Sequence, residues 1–401
     1  MHILFLTDNY PPEVNAPATR TYEHCQEWIK KGHQVTVITC APNFPYGKIY
    51  KGYKNKFYQY NDDNGIKVIR VWSYMAANSG VVRRVIDFLS FAFMSFFVGI
   101  FQKHDIIIAT SPQFFTAWAG WAISKIRRKP WIFELRDLWP ETIKTVNILK
   151  HGRAFKILEK IELGLYKDCT KVVSVTEAFK DNLISRGIAS NHIEVITNGA
   201  NLDLFYPIKK NKDLLKELLL EEKFIVGYIG THGMSQGLDF ILRCIKKIKD
   251  KSVHFLFIGD GAEKRNIVEL AKKLNLSNIT FLNSITKNNV ANYLSICDVS
   301  LVPLRKNDNF KSVLPSKIFE ACAMKKPILL GVDGQAKKII EKYGAGVFFD
   351  PENEVSFIKA LEAFKDARVY RSCQKGCIKL AYDFDRKKLA NNMINICEAI
   401  K

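Results

Sequence analysis

The stretch FIVGYIGTHGMSQGLDFIL, residues 224–242, reads as three pieces in a fixed order. A continuous apolar run comes first, a loop carrying Gly230, Gly233 and Gly237 follows, and a helix-prone segment closes it. A strand with no polar alternation is buried on both faces, the condition of a parallel sheet covered by helices. The same unit recurs outward in both directions. Ahead of it lie HILFLT (2–7), QVTVIT (34–39), IKVIRVW (66–72), DIIIAT (105–110), WIFEL (131–135), KVVSV (171–175) and IEVIT (193–197). Behind it lie VHFLFIG (253–259), NITFL (278–282), CDVSLVP (297–303), PILLG (327–331) and GVFF (346–349). Between the two sets, YPIKKNKDLLKELLLEEK (206–223) is charged and helix-prone. The fold class read from this is α/β, two doubly wound domains over 1–205 and 206–380, with a helical tail from about 380 to 401 returning to the first.

A chain of 401 residues is too long for one ordinary core, in agreement with two domains. The formal charge of +20 suits nucleic acid, an anionic membrane surface or a phosphorylated substrate. The nine cysteines fall mostly in apolar runs with no CxxC, which reads as buried free thiols in a reducing compartment. The start, MHILFLTDNYPP, has no basic leader and reads as a buried strand, so a cytoplasmic protein is expected. VIDFLSFAFMSFFVGIF (85–101) is nearly all apolar and reads either as a buried helix or as one resting in a membrane surface. Arg83 and Arg84 precede it, and YGKIYKGYKNKFY (46–58) adds four lysines among aromatics, a mixture suited to anionic lipid. No nucleic-acid motif accompanies these features, so no nucleic-acid partner is expected.

Ligands of open parallel sheets bind beyond the carboxyl ends of the strands. Gly230, Thr231, His232 and Gly233 follow one such strand, and Gly259 and Gly261 the next. The second loop is no dinucleotide fingerprint, because Lys264 stands where the third glycine would fall. LPSKIFEACAMKKPIL (314–329) then starts a helix, with Ser316 a candidate cap and Lys317 and Glu320 on one face. A cation facing a glycine loop can hold phosphate, and a carboxylate one turn on can accept two ribose hydroxyls. The bland alternative is an exposed ion pair between the two. No histidine spacing or cleft-facing acidic pair points to a metal. Neither a metal nor a cofactor is expected; the nucleotide would be a substrate.

These motifs, in this order and spacing, resemble the second domain of the family 4 glycosyltransferases, and NGANLDLFYP (198–207) resembles the segment at that family's domain junction. The resemblance spans essentially the whole chain and implies the GT-B fold, two Rossmann-like domains facing a central cleft. It makes Glu320 the ribose-binding glutamate of a paired-glutamate motif whose first member is absent, since Ser312 stands there. The usual phosphate-binding Arg and Lys fall near Thr231 and Gln236, leaving backbone N–H groups, Arg305 and Lys317 to hold diphosphate.

The first domain's DNYPPEVNAPATR (8–20) and ELRDLWPETI (134–143) are similar to those of the subgroup that builds bacterial O-antigen and capsule, including N-acetyl-L-fucosamine-type transferases. By that resemblance, Glu13, Asn15 and Arg20 lie on the acceptor side. Asp137 or Glu141 would accept the proton of the attacking hydroxyl, with Arg136 or Arg20 an electrostatic partner for phosphate. The implied reaction moves a sugar, an N-acetylated deoxy amino sugar in that subgroup, from a UDP-sugar to a polyprenyl-diphosphate-linked acceptor. The site of action would be the inner face of a bacterial inner membrane, with the enzyme attached peripherally. The rival enzyme reading is a UDP-N-acetylglucosamine 2-epimerase of the same fold.

Overall fold

The computed structural model describes residues 1–44, 47–75, 81–111, 114–138 and 153–400. Two compact units result, Met1–Thr197 with Arg386–Lys401, and Asn198–Asp385. In the first, eight strands form one sheet: β1 (His2–Leu6), β2 (Gln34–Cys40), β3 (Tyr58–Asp63), β4 (Ile66–Val71), β5 (Ile106–Thr110), β6 (Trp131–Leu135), β7 (Lys171–Ser174) and β8 (Ile193–Val195). Their order is β3-β4-β2-β1-β5-β6-β7-β8. The chain runs outward from β1 and then returns to β5 on its other side. The loop after β1 therefore lies at the point where strand order reverses, the place where open α/β sheets bind ligands.

Every neighbouring pair in this sheet is parallel except β3 with β4. Strand β3 is also the one strand outside the expected set. Its residues, YQYNDD, are half-buried or exposed throughout, so no apolar run announces it. Its turn was legible: NDDNG signals a hairpin, and Asn64 and Gly65 take φ of 53° and 87°. Two successive left-handed residues make the turn that suits strand twist.

Apolar side chains of the strands face helices on both sides. On one side Ile3, Phe5, Ile106 and Ile108 pack with Trp28 of helix Ala16–Lys30 and with Met393, Ile394 and Cys397 of helix Arg386–Ile400. Trp28 donates from Nε1 to the Ala390 carbonyl at 2.9 Å, and Arg386 pairs with Glu23 at 3.1 Å. On the other side Leu4, Leu6 and Ile107 meet Phe91 of helix Val81–Gly99 and Ile123 of helix Phe114–Arg127.

The second unit has six parallel strands: β9 (Phe224–Ile229), β10 (Val253–Ile258), β11 (Ile279–Leu282), β12 (Val299–Pro303), β13 (Ile328–Gly331) and β14 (Gly346–Phe348). Their order is β11-β10-β9-β12-β13-β14, so the reversal lies between β9 and β12. The unit begins at Asn198, earlier than the junction expected after 205. Ala200 and Phe205 belong to its core, and Ala200 bridges Asp385. The returning tail starts at Arg386 and not near 380, because Cys377, Leu380 and Ala381 pack in the second core. All nine cysteines are buried and free, as the apolar settings imply. Among the described residues no helix is long and apolar enough to cross a membrane.

Trp28 ties the last helix to the first sheet, so its truncation tests that packing. Trp28→Ala is expected to destabilise the first unit by about 3–5 kcal/mol, the cost of a large core cavity. Trp28→Phe, which loses mainly the bond to Ala390, is expected to cost about 1–2 kcal/mol. Chemical denaturation followed by circular dichroism measures both.

Candidate active site

The glycine loops after β9 and β10 are packed on each other, backbone to backbone. A Cβ on Gly259 would stand 1.9 Å from the Gly230 carbonyl oxygen, and one on Gly261 would stand 2.5 Å from the His232 oxygen. Gly259 also takes a φ of 146°, a conformation that L side chains rarely adopt. These two glycines therefore serve loop-to-loop contact, not the direct approach of a ligand that their pattern suggests. Most loop amides are used internally. Gly230 N donates to Ile258 O and His232 N to Asp260 O, both at 2.9 Å. Gly233 N donates to Gln236 Oε1 at 3.1 Å, so Gln236 closes the turn. Thr231 is exposed, and its amide has no partner among the described residues.

Lys317 meets this platform at Gly230. Its Nζ lies 4.0 Å from the centroid of the Tyr228 ring and 2.6 Å from where a Gly230 Cβ would be. No carboxylate or carbonyl holds it within hydrogen-bond or ion-pair distance among the described residues. Burial lowers its pKa to about 8, with Glu320 pulling the other way, so the amine is still mainly charged at neutral pH. Glu320, half-buried one turn on, pairs instead with Lys287 at 3.2 Å. The bland alternative, an ion pair between Lys317 and Glu320, is thus not formed among the described residues. Ser316 precedes helix Lys317–Ala323 but makes no side-chain cap; its own backbone is already helical.

Two other candidates are corrected. Arg305 is committed to Asp239 at 2.6 Å, to the Met234 carbonyl at 2.8 Å and to Glu352 at 3.4 Å, so its charge is neutralised without a diphosphate. It lines a recess of about 1020 Å³ with Asn307, Lys311 and Asp333, whose walls include neither glycine loop nor Lys317. His232 is fully buried, with Tyr228 and Phe257 against its ring. Neither ring nitrogen has a partner. Burial, with Lys264 and Lys317 nearby, lowers its pKa to about 4, so it is a neutral imidazole beneath the loop.

In the first unit the expected acceptor-side residues separate into scaffold and site. Arg20 is 1% exposed. It pairs with Glu134 at 2.9 Å and donates to the Ile196 and Thr197 carbonyls, joining helix Ala16–Lys30 to β6 and the end of β8. Each of its three nitrogens is engaged within the unit. Asn15 is a helix cap, accepting from Ala18 N at 2.9 Å.

Glu13 is buried and accepts from the Asn43 and Phe44 amides at 2.8 and 2.9 Å. Its other oxygen has no partner. Burial raises its pKa to about 7 against those two bonds, so it titrates near neutrality. Arg136 is buried at the end of β6, and its Nη1 has no partner among the described residues. Burial lowers its pKa to about 10 while Glu134 opposes this, so it stays cationic. Asp137 follows with its side chain exposed. The surrounding protein raises its carboxyl to about 6 against the pull of Arg136, and the backbone amides of both residues donate to Ser111 Oγ at 2.8 and 3.3 Å. Glu141 lies outside the described residues.

Residues 17–204 match the family model described as Glycosyltransferase Family 4, and residues 210–378 match that described as Glycosyl transferases group 1. The chain belongs to the family 4 glycosyltransferases. It is a transferase enzyme of the GT-B fold. The family 4 chain is 24% identical over 352 residues to WcaI of Escherichia coli, a glycosyl transferase whose name places it in colanic acid biosynthesis, covering 86% of this chain and 84% of that one. It is 23% identical to the glycosyltransferase WbjE of Pseudomonas aeruginosa over 58% of this chain and 59% of WbjE. Sucrose-phosphate synthase of Thermosynechococcus elongatus superposes with a TM-score of 0.79 at 17% identity, over 100% of this chain and 99% of that one. Anabaena HepE in complex with UDP-glucose superposes with a TM-score of 0.73 at 16% identity, over the full length of both.

Two residues beside the nucleotide candidates carried no signal in the sequence. Tyr228 reads as an ordinary strand residue, yet its ring seats Lys317. Lys287 opens a helix far along the chain and reaches Glu320 only in the fold. Among the described residues, no three His, Cys, Asp or Glu side chains gather as a metal site.

The assignment of Arg20 to the scaffold is testable. Arg20→Ala strands a buried Glu134 carboxylate and is expected to destabilise the first unit by about 3–5 kcal/mol, with UDP affinity of the folded protein unchanged. Calorimetric titration after a stability measurement checks both halves.

Proposed function

We propose that this enzyme transfers a sugar from a UDP-sugar to a lipid-diphosphate-linked acceptor in the assembly of a bacterial surface polysaccharide, working at an anionic membrane surface. The observation that carries the proposal is the Lys317 ammonium. It sits on Tyr228 beside Gly230, without an anionic partner in ion-pair distance among the described residues. A partly desolvated cation next to a glycine loop awaits an anion, and the departing diphosphate of UDP fits that need. Thr231 N, without a partner among the described residues, is the loop donor available beside it. Glu320, steadied by Lys287, can accept from two ribose hydroxyls. The UDP and UDP-glucose complexes of HepE favour a uridine nucleotide. The names of WcaI and of TuaH of Bacillus subtilis, assigned to colanic and teichuronic acid biosynthesis, favour a surface polysaccharide. An N-acetylated deoxy amino sugar remains the proposed donor class, by resemblance of the first-domain motifs.

In this reading Lys317 stabilises negative charge as the bond to UDP breaks, and Asp137 receives the proton of the acceptor hydroxyl. Arg136, buried with an unpartnered Nη1, supplies positive potential beside it. The charge on the leaving group is met by Lys317, so transfer is expected to persist in EDTA. Full loss restored by manganese would overturn that account.

Three outcomes test the nucleotide assignment by calorimetric titration. Glu320→Ala is expected to weaken UDP by at least about tenfold, since each charge-assisted bond contributes about 1.5–3 kcal/mol. UDP with a 2′,3′-dideoxyribose is expected to lose much less. Lys317→Ala is expected to weaken UDP but not uridine. A pH series gives the sign independently. Lys317 has a depressed pKa of about 8, so UDP affinity should hold below that value and fall by up to about tenfold per unit above it. Uridine affinity should stay flat, and Lys317→Ala should remove the dependence. Equal UDP affinity of wild type and Glu320→Ala refutes the ribose assignment.

A further inference from the structure

Helix Val81–Gly99 is apolar on two opposite sides. Phe91, Met94 and Ser95 are buried in the first unit. The other side exposes Val82 (72%), Ile86 (46%), Leu89 (44%), Phe93 (67%) and Phe97 (56%), and Phe101 (75%) continues the line past the helix end. The spacing of three and four residues makes these one continuous stripe. Beside it runs helix Phe114–Arg127. The two approach closely, since a Cβ on Gly99 would stand 2.6 Å from Ile123 Cδ1. That helix adds exposed Trp118, Trp121 and Ile126. Scattered apolar residues on a surface are ordinary, but an aromatic stripe across two packed helices marks a surface with a partner.

The charges around it narrow the partner. Exposed Arg83 and Arg84 begin the first helix, and exposed Lys103, Arg127 and Arg128 stand at the far ends of the pair. The lysine-rich loop is held against the segment Trp72–Ser73, and the next residue, Tyr74, is bonded to the helix. Asn55 and Ser73 exchange hydrogen bonds of 2.7 and 3.2 Å, Phe57 stacks on Trp72 at 6.2 Å, and Tyr74 N donates to Ser90 Oγ at 2.8 Å on the helix itself. Lys48, Lys51, Lys54 and Lys56 are all exposed. Apolar and aromatic side chains rimmed by cations match the boundary between acyl chains and anionic headgroups. A protein partner would have to supply acidic groups around an equally large apolar face.

We infer that the stripe Val82–Phe101, with Trp118 and Trp121, lies in the interfacial layer of an anionic bilayer, and that the Lys48–Lys56 loop and Arg83–Arg84 bind its headgroups. In this inference the protein rests on the membrane surface; among the described residues no helix is long and apolar enough to cross it. This deepens the proposed function, whose lipid-linked acceptor is confined to such a surface, and it rests on that reading only for its purpose.

The test uses the full chain and sedimentation with phosphatidylcholine vesicles, with and without phosphatidylglycerol. Wild type is expected to bind the anionic vesicles, and brominated lipid is expected to quench tryptophan fluorescence. The triple variant Phe93→Ser, Phe97→Ser, Phe101→Ser should lose about tenfold or more in vesicle affinity. It should keep its circular dichroism and its UDP affinity, because the three side chains already face water. Lys48→Gln with Lys51→Gln, Lys54→Gln and Lys56→Gln should weaken binding to anionic vesicles alone, and high salt should do the same. Unchanged vesicle binding by the phenylalanine variant, or absence of quenching, overturns the inference. So does light scattering that shows a dimer in solution dissociated by the same three substitutions. Vesicle binding by a protein that fails to bind UDP would instead overturn the proposed function and leave this surface standing.

Discussion

The close contact of two backbones at the carboxyl ends of β9 and β10 is the constraint on which the nucleotide candidates depend. Gly259 and Gly230 approach so nearly that a single Cβ would overlap the neighbouring carbonyl. Because the two loops interlock, the first is held rigid, its amides are mostly spent, and Lys317 can settle on Tyr228 beside it. A binding site gains from such fixity, since little order remains to be imposed on it when a ligand arrives. The buried, neutral His232 ring fills the space under the loop and so helps to support it.

The two units hold their cations in different ways. In the first, Glu134 feels the charges of both Arg20 and Arg136, and each nitrogen of Arg20 is engaged by a carboxylate or a carbonyl. Such a cluster acts as a joint between helix and sheet, and Arg136 has a nitrogen without a partner among the described residues. In the second, Arg305 is spent on two carboxylates, while Lys317 is held by an aromatic face and a backbone. An aromatic ring stabilises an ammonium without neutralising it. In the proposed reading, that difference favours Lys317 over Arg305 as the partner of a phosphate.

The outer surface of the first unit follows the same logic for apolar groups. A helix with apolar residues on every side satisfies the core with one face and leaves the other in water at a cost in hydration. The basic loop at Lys48–Lys56 is held through Asn55 and Phe57 against Ser73 and Trp72, and Tyr74, the next residue, bonds to Ser90 of the helix; in the inference drawn above, this chain of contacts brings the two features to one amphipathic surface.

The sequence by itself determined the parallel strands, their grouping into two doubly wound units, the buried thiols and the place of the glycine loops. Continuous apolar runs, helical periods and turn residues are local, and burial on both faces of a strand forces them. Strand β3 escaped because an edge strand needs no apolar face; only its Asn-Gly turn showed. The tertiary structure decided which candidates have free chemistry. Arg20 and Arg305 look like site residues by type and position, yet each is engaged by partners far away in sequence, while Asn15 is taken up by the cap of its own helix. Glu320 meets Lys287 and not Lys317, and Lys317 meets Tyr228. Hydrogen bonds and ion pairs form between atoms within a few ångströms, whatever their separation along the chain, so a side chain's availability is a property of the folded neighbourhood that no local pattern encodes.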